Sequence, residues 1–244
     1  MRPIDSPSAT ARHSAFAEPV RFATARTMSE NDRTVPHCQL YLISPLDVTG
    51  TFPDRLERAL AAGTGVATAF QYRLKGVDSH EAARLAGPLQ EICAARDIAF
   101  IVNDSVALAK RLKADGVHLG QADGSPREAR EILGREAQIG VTCHASRHLA
   151  MEAGEAGADY VAFGAFYPSS TKQSEHRPEP EILEWWSRIF EIPCVALGGI
   201  TASNCAPLIT AGADFLAVCN GVWESDEAAS VQAFVQAIDA ATEG

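Results

Sequence analysis

Aromatic residues are scarce in this chain of 244 residues, at 7% of a sequence that is 46% hydrophobic. The apolar share therefore rests on Ala, Val, Leu and Ile, a composition that suits β-strands packed under helices. Positive charge is also in deficit, with 21 Lys and Arg against 31 Asp and Glu and a net charge of -10. An acidic surface repels nucleic acid and anionic membrane, which argues against either as the main partner, and an anionic substrate would need a local basic pocket. No uninterrupted apolar run approaches the roughly 20 residues of a membrane span. The cysteines, Cys38, Cys93, Cys143, Cys194, Cys205 and Cys219, form no CxxC pair and no zinc-finger spacing. They read as reduced, buried thiols of a cytoplasmic protein. Periodicity is missing from residues 1–36, where Arg2, Arg12, Arg21 and Arg26 lie among Ser, Ala and Pro. That segment is expected to be a disordered extension, leaving 37–244 as one catalytic domain.

From Gln39 onward, short apolar runs alternate with helical patterns, which predicts repeated βα units and a parallel sheet. Eight strands are expected, over Leu40–Ser44, Ala67–Arg73, Ala99–Asn103, Gly116–Gly120, Ile139–Cys143, Tyr160–Phe166, Cys194–Gly198 and Phe215–Cys219. Runs such as Ala99-Phe100-Ile101-Val102 are hydrophobic throughout, as strands buried on both faces should be. Helix starts are marked by Asp78 with Glu81 and by Ser125 with Glu128, the latter preceded by Pro126 at the first helical position. Ala-Gly-Ala-Asp-aromatic occurs at Ala156–Tyr160 and again at Ala211–Phe215, and Ala114-Asp115-Gly116 is related to it. Repetition of one helix-to-strand turn, with no Rossmann glycine fingerprint, favours closure into a single (β/α)8 TIM barrel over an open sheet.

Polar residues gather at the strand ends, where such barrels carry their chemistry. Strand periodicity puts Gln71, Arg73 and Lys75 on one side of the chain, so two cations and an amide could converge on an oxygen-rich anion such as a diphosphate; a salt-bridged rim is the plainer alternative. Asp104 and Asp123 end neighbouring strands, where they could share a hard cation or simply cap the helices that follow. Ser169, Ser170, Thr171 and Lys172 offer hydroxyls, amides and a cation on a polar loop. Gly198-Gly199, with a helix expected to start at Thr201 or Ser203, could bring backbone amides to a phosphate, or could be a tight turn. Cys143 and His144, being adjacent on a strand, face opposite ways and form no natural nucleophile pair. His118 reads as a hydrogen-bonded barrel residue.

Taken in order from about Gln39 to Val222, these stretches resemble the thiamine-phosphate synthase family. The matching strings include Gln71-x-Arg73-x-Lys75, Asn103-Asp104, the run from Asp115 through His118 to Asp123, Gly140-Val141-Thr142, Thr171-Lys172 and Gly198-Gly199-Ile200. The resemblance implies condensation of 4-amino-2-methyl-5-hydroxymethylpyrimidine diphosphate with 4-methyl-5-(2-hydroxyethyl)thiazole phosphate, giving thiamine phosphate and pyrophosphate. It implies that Gln71, Arg73, Lys75, Asn103 and Lys172 hold the pyrimidine diphosphate, and that Asp104 and Asp123 bind Mg2+. It further implies that Thr142 touches the reacting diphosphate, and that Ser169 and Thr171 lie near the thiazole and its phosphate. Gly199, Cys219 and Asn220 fall where backbone amides cradle that phosphate. Arg73, Lys75, Thr142 and Lys172 would carry the catalysis. The partners implied are small molecules, with neither nucleic acid nor membrane among them, and a homo-oligomer is compatible with the sequence.

Departures from the family pattern lie at Leu74 for Glu, Ser44-Pro45 for Thr-Asp, Ser169 for Thr, and Cys219-Asn220 at the end of strand eight. The nearest rival is a thiazole tautomerase-like relative, in which His144 would move the proton and no diphosphate ligands would be needed.

Overall fold

The computed structural model describes residues 38–168 and 175–242. The expected disordered extension, and Ser169, Thr171 and Lys172, lie outside the described residues.

Eight strands, β1 (Gln39–Ile43), β2 (Ala67–Tyr72), β3 (Ala99–Asn103), β4 (Gly116–Leu119), β5 (Gln138–His144), β6 (Tyr160–Gly164), β7 (Cys194–Leu197) and β8 (Phe215–Val218), pair in sequence order and close into a barrel. Every pairing is parallel, including β1 with β8. Helices alternate with the strands: α1 (Phe52–Ala62), α2 (Ser79–Ala94), α3 (Val106–Leu112), α4 (Pro126–Leu133), α5 (Arg147–Glu155), α6 (Glu181–Ile189) and α7 (Ala206–Thr210). Two more, α8 (Asn220–Trp223) and α9 (Glu227–Thr242), follow β8. The chain is the expected (β/α)8 TIM barrel.

Two apolar clusters hold it together. The larger lies between strands and helices and takes the outward members of each strand, such as Leu40, Leu42, Phe70 and Phe100. The smaller fills the barrel interior with Tyr41, Ala69, Ile101, Tyr160, Ala162, Val195 and Phe215. Alternation along each strand divides the two sets, since successive side chains leave a strand on opposite faces. Gly140 on β5 makes room for one of the two interior tyrosine rings: a Cβ there would sit 1.9 Å from the Tyr160 ring.

The repeated Ala-Asp turn has a mechanical explanation. Before β4, the N–H of Asp115 donates to the Phe100 carbonyl at 3.0 Å while its carboxylate accepts from Phe100 N–H at 2.7 Å. Asp159 does the same to Ile139 of β5, at 2.8 and 2.6 Å, and Asp214 to Cys194 of β7, at 3.0 and 2.8 Å. Each aspartate thus hooks the preceding strand at the barrel end away from the polar strand tips. Alanine at Asp214, which is 1% exposed, leaves a buried N–H without its carboxylate acceptor. It should cost about 1–3 kcal/mol of stability, read by denaturant unfolding, while turnover per folded molecule stays unchanged.

Capping follows the sequence in part. Asp78 accepts from the N–H groups of His80 and Glu81, and Ser125 accepts from Arg127 N–H. The side chain of Glu81 turns instead to Arg84. The helix expected from Thr201 or Ser203 begins later, at Ala206. Asn204 accounts for the delay: its carbonyl oxygen accepts from Thr201 N–H at 2.8 Å and its amide donates to the Gly199 carbonyl at 3.1 Å, closing a local turn that competes with helix. Among the described residues no helix is long and apolar enough to cross a membrane.

Candidate active site

A cavity of about 650 Å³ opens at the ends of the strands. Gln71, Arg73, Lys75, Asn103, Asp104, Asp123, Thr142, Gly199, Cys219 and Asn220, expected from six different strand ends, all line it. The period of two along β2 and its continuation puts Gln71, Arg73 and Lys75 there, while Tyr72 between them is buried in the outer core. Ser44 fixes the start of that stretch: its hydroxyl accepts from Arg73 N–H at 2.9 Å and lies 3.2 Å from the Arg73 carbonyl, to which it donates. The departure at Ser44 therefore anchors the backbone that carries the first cation.

The two aspartates do not cap helices. Ser105 caps α3 through Leu108 N–H, and Ser125 caps α4. Asp104 instead adopts a left-handed backbone, φ 67°, with its N–H donated to the His118 carbonyl at 2.8 Å. For a non-glycine residue that conformation costs free energy and persists only where surrounding contacts impose it. One oxygen of Asp123 accepts from Gly120 N–H at 2.8 Å. Burial and then the adjacent negative charge of Asp123 raise the Asp104 carboxyl above the ordinary range, opposed by Lys75 and Arg73. Two hard oxygen donors side by side, in a cavity that also holds Arg73 and Lys75, fit a divalent cation that completes its shell with substrate oxygens and water.

On β5 Thr142 and His144, two residues apart, both line the cavity while Cys143 between them is buried, and the pairing to β6 shifts over this stretch. The Cys143 thiol donates to the Val141 carbonyl at 3.5 Å, and burial pushes it up to about 12, which removes a thiolate nucleophile at neutral pH. The described cysteines are free; all are buried apart from Cys219, which is half-buried. The His144 ring packs against His176 with centroids 4.6 Å apart. At the opposite wall, Gly199 has φ 65°, and a Cβ there would lie 2.3 Å from the Pro168 carbonyl, so only glycine admits this approach of β7 to the end of β6. Asn220 donates to Glu224 at 2.6 Å.

Sequence reasoning missed Tyr41, Tyr160 and Glu224. Tyr41 stands two residues before Ile43 on the inward face of β1, and Tyr160 on that of β6, so alternation alone marked both as interior. Their hydroxyls are 2.9 Å apart, and Tyr160 also meets His118 Nδ1 at 3.1 Å. Glu224 lines the cavity just after α8, a helix too short to leave a periodic signal.

His118 has the environment expected of a barrel histidine. Burial pushes its imidazole down from 6.5 to about 4, so it is neutral at pH 7. The unfolded chain therefore takes up a proton first as pH falls below 6.5, and the folded state loses stability until the pH reaches about 4. Between about pH 7 and about pH 5 this contributes a loss of about 2 kcal/mol. Urea unfolding at the two pH values should show His118→Asn losing about that much less than the parent. Equal losses would remove the effect from His118.

Comparison with known proteins agrees with this geometry. The family model described as thiamine monophosphate synthase matches residues 40–222. The chain is 76% identical over 205 residues to a thiamine-phosphate synthase of Erythrobacter litoralis, covering 83% of this chain and 96% of that protein. It is 52% identical over 187 residues to one of Rhodospirillum centenum, covering 76% and 89%. Among solved structures, a thiamine phosphate pyrophosphorylase from Pyrococcus furiosus superimposes with a TM-score of 0.74 at 29% identity, covering 83% of this chain and 96% of that one. The chain belongs to the thiamine monophosphate synthase family and is a transferase of thiamine biosynthesis.

Proposed function

We propose that the cavity joins 4-amino-2-methyl-5-hydroxymethylpyrimidine diphosphate to 4-methyl-5-(2-hydroxyethyl)thiazole phosphate by a magnesium-assisted dissociative displacement, releasing pyrophosphate and thiamine phosphate. The observation that carries this reading is the meeting of Arg73 and Lys75 with the uncapping pair Asp104 and Asp123 in one cavity. Relatives that carry the name thiamine-phosphate synthase support it further.

Gln71 and Asn103 would hold the pyrimidine end, and Arg73 and Lys75 the diphosphate. Lys172 joins them by the family resemblance, as do Ser169 and Thr171 at the thiazole end. The electron-rich aminopyrimidine expels diphosphate to leave a resonance-stabilised cation, which the thiazole nitrogen captures. Charge therefore builds on the leaving group, and fixed cations aimed at it lower the barrier without any acid-base step. Magnesium on Asp104 and Asp123 would neutralise further charge on the same oxygens when bound. Thr142 offers a hydroxyl to the diphosphate, and the amides at Gly199, Cys219 and Asn220 would receive the thiazole phosphate.

A thiazole tautomerase would use His144 and has no need for diphosphate ligands. Incubating the protein with both substrates, with and without magnesium, tests the proposal: thiamine phosphate should form only with magnesium present. Conversion of the thiazole without the pyrimidine, abolished by His144→Ala, would replace this reading with the tautomerase.

A further inference from the structure

Five side chains on five strands form an unbroken hydrogen-bonded chain across the barrel at the cavity floor. Gln71 Nε2 donates to the Tyr41 hydroxyl at 3.0 Å, and Tyr41 and Tyr160 hydroxyls meet at 2.9 Å. The Tyr160 hydroxyl meets His118 Nδ1 at 3.1 Å, and His118 Nε2 meets Thr142 Oγ1 at 2.8 Å. Gln71 and Thr142, the two ends, both line the cavity, and Tyr41 and Tyr160 are fully buried.

The middle of this chain transmits direction. With a single ring proton, an imidazole that donates from one nitrogen accepts at the other. Only two continuous orders are then available. In the first, Gln71 donates to Tyr41, Tyr41 to Tyr160, Tyr160 to Nδ1 of His118, and Nε2–H to Thr142. The Thr142 hydroxyl proton is left for the cavity, and Gln71 keeps its carbonyl oxygen as an acceptor. In the second order every bond is reversed. Thr142 then offers the cavity only lone pairs, and the Gln71 amide must turn so that its oxygen receives the Tyr41 proton and its NH2 faces the ligand.

An anion beside Thr142 needs a donor there and so selects the first order. Resting on the reading given under Proposed function, we propose that this chain couples the two ends of the pyrimidine diphosphate site: the diphosphate at Thr142 sets the Gln71 amide to accept from an exocyclic amino group. Tyr41, Tyr160 and His118 are thus positioning residues that determine specificity for an amino over an oxo pyrimidine, although none needs to touch the ring.

The test compares kcat/KM for the 4-amino and 4-oxo pyrimidine diphosphates in the whole enzyme with magnesium. Intrinsic reactivity differs between them but cancels when preference ratios are compared across variants. Tyr160→Phe keeps the ring that packs on Gly140 and deletes one link; the amino preference should fall about tenfold, roughly the worth of one neutral hydrogen bond. Thr142→Val, altered at the diphosphate end, should relax the same preference at the pyrimidine end, and Thr142→Ser should retain it. A purely structural role predicts that both substrates suffer equally, and unchanged ratios in Tyr160→Phe and Thr142→Val would overturn the coupling. Should Tyr160→Phe fail to fold, the Thr142 pair decides alone. A parent enzyme that turns over neither substrate would overturn the functional reading itself, whereas an active parent with invariant ratios overturns only the coupling.

Discussion

Alanine at Asp104 or Asp123 should lower thiamine phosphate formation by about a thousandfold or more, corresponding to loss of several kcal/mol of charge stabilisation at the leaving group. Folding should barely respond. The caps of α3 and α4 belong to Ser105 and Ser125, so removing either aspartate leaves both helix starts intact. Asp104→Asn is the sharper variant, because it keeps the shape while removing a partly desolvated carboxylate that the charge of Asp123 repels. Without metal it should melt at or above the temperature of the parent. With magnesium and pyrophosphate added, the parent should gain melting temperature and Asp104→Asn should not. A variant that loses melting temperature in step with turnover would return both aspartates to a structural role, and full activity in either alanine variant would remove the metal site.

Arg73→Ala should reduce kcat/KM for the pyrimidine diphosphate by about a hundredfold to a thousandfold, the range seen when one preorganised donor to developing charge is removed. KM for the thiazole phosphate should hardly change. Arg73→Lys should recover only part of the loss, since an ammonium supplies charge without the planar fork that engages two oxygens at once. Ser44→Ala offers an indirect check: it leaves the guanidinium in place but frees the backbone beneath it, so kcat should fall with little change in charge-dependent binding. If Arg73→Ala instead raised KM for the thiazole phosphate alone, Arg73 would belong to the other substrate and the assignment of the diphosphate end would fail.

Much of this was readable from residue order because barrel strands impose a simple rule. A short continuous apolar run such as Ala99–Val102, recurring between helical patterns, suits a strand covered on both faces, and the residue that follows it emerges at the cavity. Arg73 and Lys75 lie beyond the last paired residue of β2, yet they keep its alternation and so arrive in the cavity as their spacing predicts. Asp104 and Asp123 were harder, since a carboxylate before a helix looks the same as a cap until its neighbour is seen to do the capping. Tyr41 and Tyr160 were unreadable as polar residues because their rings serve the interior cluster and only their hydroxyls act in the network. The late start of α7 depends on Asn204 reaching back to Gly199, a contact across a turn that helical periodicity does not register.

Asp214 holds more than the strand it hooks. Its carboxylate and N–H grip Cys194 of β7, its own carbonyl accepts from Gln39 N–H of β1 at 2.9 Å, and it leads directly into β8. The seam where the first and last strands meet is therefore tied to the strand before it through a single residue. Opening the seam by fraying β1 alone would disturb the anchor of β7 and β8, so the terminal units should exchange their amide hydrogens together with the barrel centre, at the slow rate of global opening, and not as loose ends.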